Sequence, residues 1–354
     1  MKFEWITSWD AIWSKEFVDK WDTWMEKSEN SHVFFHPSMV KAWVDTYIGI
    51  RDIRPIFCIA SQGDVTIFLP LVLWKKNWKS AFEKAIVPVG HSDFDYHSPV
   101  VIGNNIEKIN WTDYWSGLYK EIDSQLNGKF DTFEIDGVKK TFNGDSKSWK
   151  LFDQCPYIDL KPYESYEDFL GVFKTKERSN VKRQIRRLEE IGVFKFEVLG
   201  DERKDEILAI LPTLLKHHSL RWPKAYKAPS YHYNLIVNAL EKNLLHFAQI
   251  TIDGEAISWN ISFVYKNTYY YYMSIYTEKY SRFSPGKLNM FLCIGDVINK
   301  NYEKFDLLRG AEGYKNKLPV ENDAVFQYMV KNNTLSSSVK STVLQLKKRI
   351  NEKY

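Results

Sequence analysis

The feature that most constrains this chain is an order of elements that occurs twice. In the first pass, residues 54–61 and 65–74 alternate apolar and polar residues across a Gln62-Gly63-Asp64 turn. A third such run follows at 82–89, then a polar loop, a helical pattern at 106–126 and a closing strand at 130–135. In the second pass, the runs 244–252 and 255–265 flank Asp253-Gly254, with a third at 269–276, a loop at 277–285, a helix at 286–299 and a strand at 304–308. Period two reads as strand and spacing of three and four as helix, so the chain is expected to be α/β (α+β) and duplicated. Each unit would be a mixed, largely antiparallel sheet flanked by helices. The boundary should fall near Asp145 to Cys155, giving units of residues 1–152 and 153–354, the second opening with the strand Tyr157-Ile158-Asp159-Leu160.

Helical patterns precede both hairpins. A strand at 2–6 leads to Ser8 as N-cap of a helix whose stripe is Trp9, Ile12, Trp13, Phe17, Trp21 and Trp24, and a second helix is expected at 37–47 with Pro37 in its first turn. In the second unit, helices are expected at 205–220 and 233–241. A C-terminal packing helix would carry Val339, Val343, Leu346 and Ile350, with Lys347, Lys348 and Arg349 exposed. Most tryptophans precede Cys155, which reads as core filling, with a sugar-stacking cleft as the alternative.

Several classes are excluded by what is absent. No run approaches 18 uncharged apolar residues, so no membrane span is expected. Glu4 and Asp10 stand where a secretory signal needs a basic end and an apolar run, so the protein is expected to be cytoplasmic. Cys58, Cys155 and Cys293 form no CxxC pair, which argues against a disulfide framework or zinc cluster. The only HxxxH spacing, His32 to His36, lacks the glutamate of an HExxH site, and Asp93, Asp95 and His97 lack a further ligand, so no metal is expected. GxSxG, Walker and dinucleotide glycine motifs are missing as well. The net charge is +4, and the 171–190 segment alone carries that excess. There Lys174, Lys176, Arg178, Lys182, Arg183, Arg186 and Arg187 line a helix whose apolar stripe is Val181, Ile185 and Leu188. That helix either docks with a solvated cationic face or attracts a polyanion such as a nucleotide-linked sugar, an acidic lipid surface or tRNA.

Four segments could carry chemistry. Phe283-Ser284-Pro285-Gly286-Lys287-Leu288 joins a strand to a helix, where unpaired N–H groups and the helix dipole can hold an anion such as pyrophosphate. Gly286 would let a ligand approach the backbone, and Arg282 and Lys287 would add charge. The 306–315 segment, with Asp306, Arg309, Glu312, Tyr314 and Lys315, lies beyond a strand end, where open α/β sheets bind ligands. His217, His218, Arg221 and Trp222 close a helix; histidine suits proton transfer and arginine an anionic acceptor, or the turn merely complements the helix dipole. The first unit's loop places Asp93, Asp95, Tyr96 and His97 within five residues. That loop would receive a cationic or hydroxyl-rich acceptor, or be a solvated turn.

The segments Tyr280 to Leu288 (YSRFSPGKL) and Asp306 to Lys315 (DLLRGAEGYK) resemble the GNAT-type N-acyltransferases of the CelD-like group, distant relatives of the Fem peptidoglycan aminoacyltransferases. The resemblance extends to 157–160, 178–192, 216–222 and 93–96. It implies two tandem GNAT-like units, an acyl-CoA donor on the C-terminal one and an amine acceptor. Ser284, Pro285, Gly286, Lys287 and Leu288 would form the pyrophosphate loop, with Phe283, Arg309 and Lys315 also facing the donor, and Ser274, Ile275 and Tyr276 would be the splayed strand beside pantetheine. The loop has one glycine where the usual GNAT loop has two.

A thioester donor asks for an in-line amine, a base and an oxyanion donor. The N–H of Ile275 or Tyr276 could be the oxyanion donor, His218 or Asp306 the base, and Tyr314 a proton donor to the thiolate. Asp95 and His97 would steer the amine, with Asp93, Tyr96, His217, Arg221 and Trp222 binding the acceptor. The expected activity is transfer of an acetyl or short acyl group from acetyl-CoA or another acyl-CoA to an amine. The acceptor would be an amino sugar, free or nucleotide-linked, used for cell-surface polysaccharide. One alternative is an aminoacyl-tRNA-dependent Fem-type transferase, for which the cationic helix would contact tRNA; the long helical hairpin common in Fem proteins is not seen in the sequence. The other is a non-catalytic polyanion binder on a degenerate GNAT fold.

Overall fold

Both expected hairpins form. The structure, a computed structural model, describes residues 1–144, 147–228, 230–332, 334, 337–340 and 342. The chain divides into two compact units, Met1–Asp153 with Ala324–Tyr354, and Gln154–Asp323.

The first unit contains β1 (Lys2–Ile6), α1 (Trp9–Ile12), α2 (Lys15–Lys27), α3 (Pro37–Tyr47), β2 (Ile53–Pro55), β3 (Phe57–Gln62), β4 (Val65–Leu69), β5 (Leu71–Lys75), β6 (Lys84–Pro88), β7 (Val100–Ile102), α4 (Trp111–Leu126) and β8 (Thr132–Lys139). The aromatic stripe is spread over two helices rather than one. The chain breaks at Trp13, and Ser14, not Ser8, caps the longer helix by accepting from Phe17 N at 3.3 Å. Trp21 and Phe17 then pack edge-on to Phe57 and Phe68. Trp21, Trp43 and Trp115 are fully buried, which makes them core. The run expected as one strand from 65 to 74 is split by Pro70, which has no N–H to give a ladder. As a result β4 pairs with β3 and β7, and β5 with β2 and β6.

The second unit contains the end of β9 (Trp149–Asp159), then α5 (Tyr166–Gly171), α6 (Thr175–Glu189), β10 (Phe194–Leu199), α7 (Lys204–Arg221), α8 (Tyr231–Glu241), β11 (Leu245–Ile252), β12 (Glu255–Tyr265), β13 (Thr268–Tyr276), α9 (Pro285–Asn299) and β14 (Lys304–Asp306). Its sheet runs β10-β11-β12-β13-β14-β9, antiparallel except between β13 and β14. On one face α9 buries Phe291, Ile294 and Val297 against Ile257, Tyr269 and Tyr271. On the other, α7 and α8 bury Leu211, Leu214 and Ile236 against Trp259, Met273 and Ile275. An extra residue in β13 makes this possible. Ile261 pairs with Met273 but Phe263 with Tyr270, so the side-chain alternation shifts between them. Tyr269 and Tyr271 face α9 before the shift, and Ser274 and Tyr276 do so after it.

The second unit closes at Asp323, short of the C-terminal end expected for it. β15 (Glu321–Lys331) pairs antiparallel with β8, which places the residues from Ala324 onward in the first unit. Of the expected C-terminal packing helix, Val339 lies in the helical residues 337–340 but is exposed, and Val343, Leu346, Lys347, Lys348, Arg349 and Ile350 lie outside the described residues.

Candidate active site

The sheet of the second unit opens where β13 and β14 part. β14 accompanies β13 only along Thr268, Tyr269 and Tyr270, whereas β12 stays paired with β13 as far as Tyr276. The cause is local. Asp306 Oδ1 accepts from Leu308 N at 2.9 Å, and Leu308 takes the left-handed conformation at φ 60°. The chain then follows β9, with Leu307 N donating to Pro156 O at 3.0 Å and Gly310 N to Gln154 O at 3.1 Å. Among the described residues, 271–276 thus keep a strand on one edge only, and such an edge can pair with an extended polar ligand.

The first turn of α9 stands beside this edge. Ser284 is left-handed at φ 52° and its side chain does not cap the helix, and Pro285 at the first position has no N–H. The N–H groups of Gly286 and Lys287 are therefore first-turn donors without a capping side chain, and Leu288 N bonds back to Ser284 O. A Cβ on Gly286 would lie 3.1 Å from Ser274 Oγ and 3.1 Å from Tyr276 Cδ1. The missing side chain thus lets the helix lie against the strand. The Tyr276 ring is shared, with the Arg221 guanidinium 4.7 Å from its centroid. The structure therefore brings Ser274, Tyr276, Gly286 and Arg221 together.

Positive charge surrounds the turn. Arg282 and Arg187 lie over the Phe283 ring at 4.8 and 5.2 Å, while Lys287 Nζ is 3.2 Å from Glu177 Oε2. Asn180, Gln184, Ser284, Lys287 and Phe291 line a groove between α6 and α9. Phe283, Pro285 and Leu288 are buried, so they anchor the loop through packing.

Lys315 has another task than the expected contact with the donor. It is 2% exposed, and its ammonium donates to the carbonyls of Leu308 (3.3 Å), Arg309 (2.9 Å) and Gly310 (3.1 Å) and pairs with Glu312 Oε2 at 2.8 Å. It therefore binds the 308–312 loop to itself. Asp306 is buried and lies 3.4 Å from Lys304 Nζ. Tyr314 is exposed, at the start of the turn Lys315–Lys317.

The end of α7 carries the histidines. His217 stacks on Trp259 with centroids 6.1 Å apart, and Trp222 is exposed. His218 Nδ1 is 3.0 Å from Tyr226 Oη, which donates to Leu215 O at 3.0 Å. Behind it His232 bonds Tyr272 Oη through Nδ1 at 3.1 Å and Ala225 O through Nε2 at 3.3 Å. Burial, then the neighbouring His232 and Arg221, lower the His218 pKa to about 4; burial lowers that of His232 to about 4 despite its bond to Ala225 O. Both are neutral at pH 7. Tyr226, His232 and Tyr272 were not singled out from the sequence. A lone histidine opening a helix and tyrosines on neighbouring elements have no spacing signature.

In the first unit, Asp93 Oδ2 accepts from Trp43 Nε1 at 3.0 Å. Tyr96 and His97 are buried, His97 Nδ1 lying 2.8 Å from Asp136 Oδ1, and Lys139 Nζ stands 5.4 Å from the Tyr96 ring centroid. Asp95 O lies 2.9 Å from where a Cβ on Gly137 would be, beside β8. These contacts tie the loop to α3 and β8. Tyr96 and His97 in particular are enclosed by their own unit. Among the described residues no group of three or more His, Cys, Asp or Glu side chains is placed to hold a metal, and no helix is long and apolar enough to cross a membrane.

Residues 175–316 match the family model described as the acetyltransferase (GNAT) domain. Among solved structures the chain is similar to FemX, at 13% identity over 96% of this chain and 100% of that one, with TM-score 0.61. It is similar to a conserved protein of unknown function from Bacteroides thetaiotaomicron at 14% identity, 89% and 97% coverage and TM-score 0.56. The C-terminal DUF2156 domain of a putative lysylphosphatidylglycerol synthetase from Agrobacterium fabrum is similar at 12% identity, 93% and 96% coverage and TM-score 0.53. No curated protein matches the sequence. The fold is therefore of the GNAT type, and residues 175–316, within the second unit, are similar to the acetyltransferase (GNAT) domain.

Proposed function

We propose that the protein is a CelD-like N-acyltransferase acting in the cytoplasm, which moves an acetyl or short acyl group from acyl-CoA to the amine of an amino sugar, free or nucleotide-linked, for cell-surface polysaccharide. The observation that carries the donor half is the parting of β13 from β14 beside an uncapped first turn of α9. An extended amide chain ending in a pyrophosphate is chemically matched to a one-sided strand edge leading to helix N–H donors. Gly286 and Lys287 N–H, with Arg282 near them, would hold the pyrophosphate. Residues 274–276 would pair with the amide chain. The amino-sugar half rests on the resemblance of the motifs.

Bound acyl-CoA supplies an acyl group already activated as a thioester. What this chain adds is orientation, a proton acceptor and a place for negative charge. His218 Nε2 would take the proton that the amine loses on forming its new bond to the acyl carbon. The N–H of Ile275 or Tyr276 would donate to the acyl oxygen. Tyr314, protonated at neutral pH, would give its proton to the departing sulfur. Asp306 and Lys315 would shape the loop that holds Tyr314.

The deciding experiment is calorimetry and thermal shift with acetyl-CoA, CoA and 3′-dephospho-CoA, followed by turnover with amino sugars and their nucleotide-linked forms. Saturable binding of acetyl-CoA and acetylation of an amine are expected; no binding at millimolar acetyl-CoA overturns the reading. A second reading, an aminoacyl-tRNA donor, is favoured by the cationic face of α6 and would be supported by tRNA binding without CoA binding.

A further inference from the structure

The cluster around the end of α7 fixes more than the place of His218. Tyr226 Oη has one proton and two neighbours, Leu215 O at 3.0 Å and His218 Nδ1 at 3.0 Å. A carbonyl oxygen only accepts, so the phenol proton goes to Leu215. The second bond is then made only if Nδ1 carries a hydrogen and donates to the phenol oxygen. A neutral imidazole with its hydrogen on Nδ1 has its lone pair on Nε2. The ring next to it is set in the opposite sense. Ala225 O accepts from His232 Nε2, so His232 Nδ1 is the acceptor for the Tyr272 hydroxyl.

We propose that Tyr226 is a positioning residue that holds His218 in the Nδ1–H form, leaving Nε2 as the open proton acceptor of the transfer reaction. This rests on the reading of His218 as the base. The groups that face the His218 ring are Tyr226 from the turn after α7, His232 from α8, with rings 5.7 and 5.8 Å away, and Arg221 from α7 itself. His232 also packs on Tyr226 at 4.7 Å, so the phenol is held from two sides. The proton balance is closed: the amine proton arrives at Nε2, the imidazolium keeps its Nδ1–H bond to Tyr226, the proton then leaves from Nε2 to solvent, and Tyr314 takes one back from solvent in place of the one it gave to the departing sulfur.

The assignment is read directly from the full-length protein carrying 15N-histidine, by long-range 1H–15N spectra at pH 7, with His218 assigned from its loss in His218→Gln. The expected spectrum shows a protonated Nδ1 and a bare Nε2 for His218, and the reverse for His232. In Tyr226→Phe, His218 should move toward the Nε2–H form and kcat should fall about three- to tenfold with the donor KM unchanged, the loss of one hydrogen bond of ordinary strength. Tyr272→Phe is the contrast: it should shift the His232 Nδ1 signal and leave the His218 form as it was. A parent spectrum with His218 as Nε2–H, or a Tyr226→Phe protein with unchanged His218 signals, overturns the proposal. If His218 is Nδ1–H and His218→Gln turns over at the parental rate, the tautomer assignment is upheld and the general-base reading beneath it is the one overturned.

Discussion

Replacing Gly286 tests the donor site at its narrowest point. A Cβ there meets Ser274 Oγ and Tyr276 Cδ1, each at 3.1 Å, so the neighbours must give by a few tenths of an ångström. The serine hydroxyl can rotate away, but the tyrosine ring is held by Arg221 on its face. Gly286→Ala should therefore be tolerated, since relief of glycine's cost in a helix, up to about 1 kcal/mol, offsets mild crowding. Gly286→Val adds two methyl groups in the same gap and must lift the first turn of α9 from β13, at an overpacking cost of about 1–3 kcal/mol. The lifted N–H groups no longer point at a bound pyrophosphate. Losing one charge-assisted bond, about 1.5–3 kcal/mol, is a roughly 10- to 150-fold rise in Kd. Calorimetric titration with acetyl-CoA reads the affinity, and a urea melt of the same protein shows that it is folded. A folded Gly286→Val protein binding acetyl-CoA within threefold of the parent would refute the placement of the anion at this turn.

Three other outcomes follow from the contacts described. Lys315→Met leaves three carbonyls without their common donor and should lower stability by about 2–4 kcal/mol in urea melts; a change under about 0.5 kcal/mol would show that the ammonium does not hold the loop. Gly137→Ala combines φ 67° with a Cβ 2.9 Å from both Asp95 O and His97 Nδ1, so it should cost the first unit about 2–4 kcal/mol or prevent its folding, and a soluble protein of parental melting temperature would contradict that backbone path. His32 and His232 have their pKa values lowered by burial to about 3 and about 4, below the ordinary value near 6.5. Only the unfolded chain takes up those protons, so stability is fully present above pH 6.5 and falls as pH drops toward 4, by about 1.4 kcal/mol per pH unit for each fully buried group. Urea midpoints that stay level between pH 6.5 and 5 would show that these imidazoles are not buried neutral.

Much of the architecture was legible because strands and helices announce themselves by period. The Glu255–Tyr265 strand and the Pro37–Tyr47 helix form at the residues their patterns mark, and the Ser284-Pro285 junction marks the start of α9. Backbone rules local to a few residues suffice there. What the sequence by itself determined is most of this set of elements and their order.

The tertiary structure alone decided which groups meet. Nothing in 306–315 distinguishes a lysine that reaches for a ligand from one whose ammonium is enclosed by three carbonyls, because that depends on how the loop turns at Leu308. β15 leaves the second unit to pair with β8, since hydrogen bonding across a sheet is blind to distance along the chain. The shift in β13 that aims both Tyr271 and Ser274 at α9 needs one extra residue opposite β12, which no alternation count of a single strand reveals. Likewise the protonated nitrogen of His218 is set by a tyrosine eight residues on and a carbonyl three residues back. Tautomers are chosen by partners in space, and partners are assembled only when the chain has folded.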